Sequence, residues 1–153
     1  MRISILLAAL AMTATSMAST ALAADVTYRK QILPLWQQKC MSCHGKASPY
    51  LGEFNENKEK FTKLMAGPRM DTYADLAAFV GWPDTGALMR RLDDGKSAKS
   101  GKPGNMYAYL GGDDAERQKN LAQFKAWVGE GAWFLGRFKE LDKATLEKMK
   151  VAE

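Results

Sequence analysis

Apolar residues along the chain recur at helical rather than strand spacing. Tyr28, Ile32, Trp36 and Cys40 stand four apart, Leu33 and Leu35 broaden the stripe, and a first helix is predicted over about Thr27 to Met41. Pro34 is comfortable only in a first turn, so regular helix should begin nearer Gln31 than Thr27. Asp71 to Val80 repeats the pattern with Leu76, Phe79 and Val80, opened by Thr72 and Asp75 as a cap and stopped by Gly81 and Pro83. A short helix opened by Asp84 follows, with Leu88, Met89 and Leu92, and then Asp93 to Asn105 reads as a loop rich in glycine and lysine. Gly111-Gly112-Asp113-Asp114-Ala115-Glu116 starts a helix with an acidic first turn. That helix carries Leu121, Phe124, Trp127 and Val128, ends at Gly129 and Gly131, and should pack on the first. Trp133 to Lys150 adds a helical segment with Phe134, Phe138, Leu141 and Leu146. Few stretches alternate apolar and polar over strand length, so the fold class is all-α, short helices joined by sizeable loops.

The first residues carry a different signal. Arg2 supplies a positive start, Ile3 to Met12 an apolar run diluted by Thr13, Thr15 and Ser16, and Ala21-Leu22-Ala23 a small-residue cleavage site. The pattern is that of an export leader cleaved after Ala23 or Ala24, too short to anchor in a membrane. The expected organisation is a signal peptide at 1–23, one domain at 24–131 and a helical extension at 132–153 that covers core surface or serves a partner. The export leader places the product in the periplasm. Net charge is +5 over 153 residues, falling by one with Arg2. No basic run is long or aromatic-interleaved enough for nucleic acid, and no later apolar segment is long enough to span a membrane. A monomer is expected. The polar stretch from Gly52 to Lys63 is a solvated loop or an exposed helix.

Cys40-Met41-Ser42-Cys43-His44 uses both cysteines and the single histidine of the chain. C-x-x-C-H is the attachment motif of a c-type haem. Two thiols three positions apart can each form a thioether on one porphyrin edge, and the adjacent imidazole then binds the iron. Other uses fit less well. A thioredoxin-like dithiol expects a βαβ context, a structural zinc site needs four ligands where Cys and His number three, and a Cys-His nucleophile pair is usually assembled from distant positions. One haem c held covalently by Cys40 and Cys43, with His44 as proximal ligand, is therefore the expected cofactor. The other ring nitrogen of His44 needs an acceptor, for which the backbone near Pro49 is a candidate; Pro49 otherwise only shapes a turn. A sole histidine excludes a second imidazole, which leaves methionine, lysine, another weak ligand or an open position on the distal side.

With the helix before this motif, a methionine-bearing loop some sixty residues later and a final amphipathic helix rich in aromatics, the chain resembles the class I monohaem cytochromes c over about Val26 to Gly131. It resembles the class II four-helix bundles less, since their haem motif lies near the C-terminus. The resemblance implies a class I cytochrome c fold wrapped round one covalent haem, here with an extra C-terminal helix, and electron transfer with redox protein partners. Met106 is the expected distal ligand: it stands in a glycine-flanked irregular segment after the middle helices, with Tyr107 and Tyr109 able to shield it. Met70, beside Gly67-Pro68, is the alternative, whereas Met41 lies in the motif, Met89 reads as core filler and Met149 belongs to the extension. Lys96, Lys99 and Lys102 precede Met106 and are candidates for steering an acidic partner, or are merely solvated. A haem enzyme or gas sensor with an open iron, or an electron-transfer subunit of a larger enzyme, are the alternative functions.

Overall fold

Pro34 sets the shape of the first helix. The computed structural model describes residues 25–153, and the expected leader at 1–23 lies outside the described residues. The chain enters through a π-helical turn, Tyr28–Ile32, capped by Thr27, in which the Leu33 amide bonds to the Tyr28 carbonyl five residues back. It then continues as α1, Leu33–Lys39, with Pro34 in its first turn. The wider turn avoids the clash that Pro34 would have with the Lys30 carbonyl in a continuous α-helix. Regular α-helix therefore starts two residues later than the expected Gln31.

Six further helices follow before the tail. They are α2, Met41–His44; α3, Leu51–Glu56; α4, Lys58–Lys63; α5, Tyr73–Ala78; α6, Ala87–Leu92; and α7, Asp114–Val128, preceded by a 3-10 turn at Tyr107–Leu110. No strand occurs among the described residues. Thr72 caps α5 by accepting from the Asp75 amide, and Asp113 caps α7 by accepting from the Glu116 amide at 2.8 Å. Both starts were legible as caps. The stretch from Gly52 to Lys63 forms the largely exposed helices α3 and α4.

The first helix and α7 run antiparallel. Tyr28, at the start of one, has its ring 6.4 Å from that of Trp127 at the end of the other. Lys39, at the opposite end, pairs with Glu116 in the first turn of α7 at 2.6 Å. Between these ends lie Ile32, Trp36, Leu121 and Phe124, all buried, with Leu76, Val80 and Met89 from α5 and α6 in the same core. Truncating Trp36 or Trp127 to alanine should cost about 3–5 kcal/mol.

The tail departs from its predicted helix over Trp133 to Lys150. Only a 3-10 turn at Phe138–Glu140 and a one-turn α8, Lys143–Leu146, form there. Phe138 and Leu146 stay 52% and 47% exposed, whereas Phe134 packs half-buried against the core, so the stripe has no single wall to bury against. The last residues instead satisfy backbone groups of other elements. The Lys150 and Val151 amides donate to the carbonyls of Val128 and Trp127, and the Ala152 carbonyl accepts from the Tyr28 amide and the Trp127 indole. Gly129 permits this crossing: its φ is +122°, and a Cβ there would lie 2.1 Å from the Lys148 oxygen.

Candidate functional site

The site begins where α1 stops. Cys40 leaves helical geometry at φ −121°, ψ −26°, and its carbonyl accepts from the Cys43 and His44 amides at 3.2 and 3.0 Å. That single turn presents two unbridged, half-buried thiols and the imidazole from one short piece of backbone. Burial, with the Cys43 sulfur adding to it, pushes the Cys40 thiol up to about 12, so it stays protonated at neutral pH.

A second segment, residues 67–70, is stitched along this turn. The Gly67 amide donates to the Cys43 carbonyl at 2.7 Å, the Met70 amide to the His44 carbonyl at 3.0 Å, and the Arg69 amide to the Pro49 carbonyl at 2.7 Å. His44 Nδ1 lies 2.7 Å from the Pro68 carbonyl oxygen. A carbonyl only accepts, so the ring proton sits on Nδ1 and Nε2 carries the lone pair. Burial lowers the His44 pKa and the bond to Pro68 opposes the shift; the lowering prevails. The acceptor is thus Pro68, not the backbone near Pro49, whose carbonyl takes Arg69 instead. Gly67 fits because the ring fills the space beside it: a Cβ would meet His44 Cε1 at 2.1 Å.

Within this strap of residues 67–70, Arg69 donates through Nε and Nη2 to the Asp71 carboxylate and through Nη1 to the Tyr50 hydroxyl at 2.9 Å. The hydrogen bond from Arg69 holds the Asp71 carboxyl below the usual carboxylate range. This clamp fixes the far end of the strap.

The two candidate methionines occupy different segments. Met70 belongs to the strap and is bonded to His44 through its amide. Met106 donates its amide to the Arg91 carbonyl at 2.9 Å, at the end of α6, and caps the 3-10 turn Tyr107–Leu110. Both are half-buried against the core. Of the two expected shields, Tyr107 is buried, but Tyr109 is 60% exposed. Lys96, Lys99 and Lys102 are all exposed, and Lys96 lies 3.1 Å from Asp94.

These residues fit a c-type haem. Two thiols are unpaired, the single imidazole is held in the tautomer that leaves Nε2 available, and its ring lies against a glycine that makes room for it. One turn before Cys40, the buried indole Nε1 of Trp36 has no acceptor among the described residues, and a buried donor without a protein partner is uncommon. Nothing in the sequence marks Gly67 and Pro68 as partners of the histidine. The only trace of them was a glycine-proline pair between two methionines, which signals a turn and nothing about histidine.

The all-α fold and the C-x-x-C-H turn at a helix end make this a c-type cytochrome. The family described as PccH cytochrome c matches residues 27–152, and the chain belongs to that family. The solved structure of the monohaem cytochrome PccH from Geobacter sulfurreducens is similar to it at TM-score 0.77 and 48% identity, covering 85% of this chain and 100% of that one. Comparison with curated proteins gives no match.

Proposed function

We propose that the protein is a periplasmic electron carrier with one haem c tethered through Cys40 and Cys43 and ligated by His44 and Met106. Its membership of a cytochrome c family supports haem-based electron transfer. The observation that carries the ligand reading is the 2.7 Å bond from His44 Nδ1 to Pro68, which leaves Nε2 as the only imidazole nitrogen of the chain available to a metal. The periplasmic assignment rests on the leader pattern of residues 1–23.

Haem supplies a one-electron ferric–ferrous couple. The protein's part is to hold and tune it. Two thioethers keep the cofactor from being lost between partners, and Pro68 orients His44 and raises its basicity through the shared proton. A thioether from Met106 favours the ferrous state and raises the potential. Exposed Lys96, Lys99 and Lys102 would attract an acidic redox partner.

Visible spectra of the oxidised and reduced protein, with and without carbon monoxide, test the carrier reading. A reduced spectrum unchanged by carbon monoxide is expected. Rapid binding would overturn it in favour of an open-iron enzyme or sensor. Mass spectrometry of exported protein should give a chain starting at Ala24 or Asp25 with one haem that acid-acetone does not extract.

A further inference from the structure

We propose that the segment after α7 braces the Met106 loop through one hydrogen bond, from the Trp133 indole to the buried carboxylate of Asp93. The consequence for the iron rests on Met106 as distal ligand; the brace itself does not.

Asp93 ends α6 and is 1% exposed. Each of its polar groups has a partner. Its amide donates to the Met89 carbonyl at 2.9 Å, its carbonyl accepts from the Gly104 amide at 2.8 Å, and Oδ2 accepts from the Gly95 amide at 2.9 Å. One residue thus closes both ends of the loop that leads to Met106. Oδ1 accepts from Trp133 Nε1 at 2.9 Å, and among the described residues this is the carboxylate's one partner from outside that loop. The closure is tight at Gly104, where a Cβ would lie 2.3 Å from the carbonyls of Arg90 and Arg91. Two residues on, Met106 bonds to that same Arg91 carbonyl.

Trp133 can act as an anchor because it is itself held. It follows Ala132, which is fully buried and bonded to the Gly129 carbonyl, and Lys125 of α7 lies 5.4 Å from its ring centre. A buried carboxylate needs its full set of donors. Loss of the indole N–H leaves Oδ1 unsatisfied, and the loop 94–105, which has no helix or strand of its own and is tied to α7 by the 3.0 Å bond from Gln118 to Asp94, is the part that opens toward water. The C-terminal segment would then act on the iron without touching it, by setting how often Met106 leaves its place.

Trp133→Phe keeps an aromatic ring and deletes the donor. In the holoprotein, amide hydrogen exchange at Gly95, Gly104 and Met106 should speed up by about tenfold, the scale of one lost buried hydrogen bond. Exchange at Gly67 and Met70 on the His44 strap should stay as in the wild type. Ferrous haem should also bind carbon monoxide faster than in the wild type. Unchanged exchange at the three loop amides overturns the brace, and so does equal acceleration on the strap, which would mean general loosening. Should Trp133→Phe not fold, exchange of the Trp133 indole N–H in the wild-type holoprotein is the second measurement: protection matching that of the Gly95 and Gly104 amides is expected, and fast exchange overturns the brace. Met106→Ala separates the two readings: if it leaves the far-red sulfur-to-iron band intact, the ligand assignment fails, while the exchange pattern still decides the brace.

Discussion

His44 Nδ1 lies 2.7 Å from the Pro68 carbonyl oxygen, and the residue before that proline carries no side chain because the imidazole occupies its space. Gly67→Ala would put a methyl 2.1 Å from Cε1 and 2.5 Å from Nδ1, so either the ring or the strap must move. Overpacking of this kind costs about 1–3 kcal/mol. Displacing the ring also stretches the bond to Pro68, which should reduce the fraction of exported protein carrying haem. Denaturant midpoints and the haem-to-protein absorbance ratio check both; a variant with wild-type values for each would refute the contact.

Asp94 supplies a pH dependence. Burial raises its pKa, but hydrogen bonds from Gln118 and from the backbone and side chain of Lys96 outweigh this and bring it down to about 2. A carboxylate depressed on folding stabilises the protein above its unfolded value of about 4, and that contribution is lost as pH falls toward 2. Its size is on the order of 1–2 kcal/mol. Asp94→Asn should therefore lower stability at pH 7 and flatten the decline between pH 4 and 2. Urea unfolding at pH 7, 4 and 2.5 measures it, and parallel curves for the two proteins would exclude the assignment.

What the sequence disclosed was local chemistry. Thr72 and Asp113 are caps whose partners lie three residues on, and the C-x-x-C-H turn is likewise complete within five residues. The strap was not legible. A proline carbonyl looks the same wherever it stands, and the bond joining His44 to Pro68 spans 24 positions with no periodicity to announce it. The tail misled for a related reason: the spacing of Phe134, Phe138 and Leu141 suits a helix, but local propensity is a weak prior. The backbone of residues 150–152 is instead bonded to Tyr28, Trp127 and Val128, partners that composition cannot indicate.

We expect Lys96, Lys99 and Lys102 to steer an acidic partner, because all three are exposed on the loop that precedes Met106. Lys96 is partly neutralised by Asp94, so Lys99 and Lys102 should contribute more of the field. Replacing all three by glutamate should slow electron transfer to an acidic redox protein by roughly tenfold or more at low ionic strength. The difference should shrink as salt screens it. Stopped-flow rates across a salt series test this; identical rates at the lowest salt would leave the loop merely solvated.

Met106 and Met70 are separated by the company each keeps. The Met70 amide donates to the carbonyl of His44 itself, at 3.0 Å, on the strap that also supplies the acceptor for the imidazole. Its backbone is therefore committed to the His44 side of the site. Met106 is fixed from elsewhere, by the Arg91 carbonyl at the end of α6, with buried Tyr107 following it and the Asp93 closure preceding it. A second ligand would have to come from a segment other than the one that holds the histidine, which favours the methionine that shares no backbone bond with His44. Met106→Ala should abolish the far-red sulfur-to-iron band, lower the reduction potential by on the order of 0.1 V and open ferrous haem to carbon monoxide. Met70→Ala should keep the band, with a stability loss of about 1–2 kcal/mol, below that of a fully buried methionine because its side chain is half-buried. The reverse result, with the band lost only in Met70→Ala, would transfer the distal role to Met70 and leave the electron-carrier reading standing.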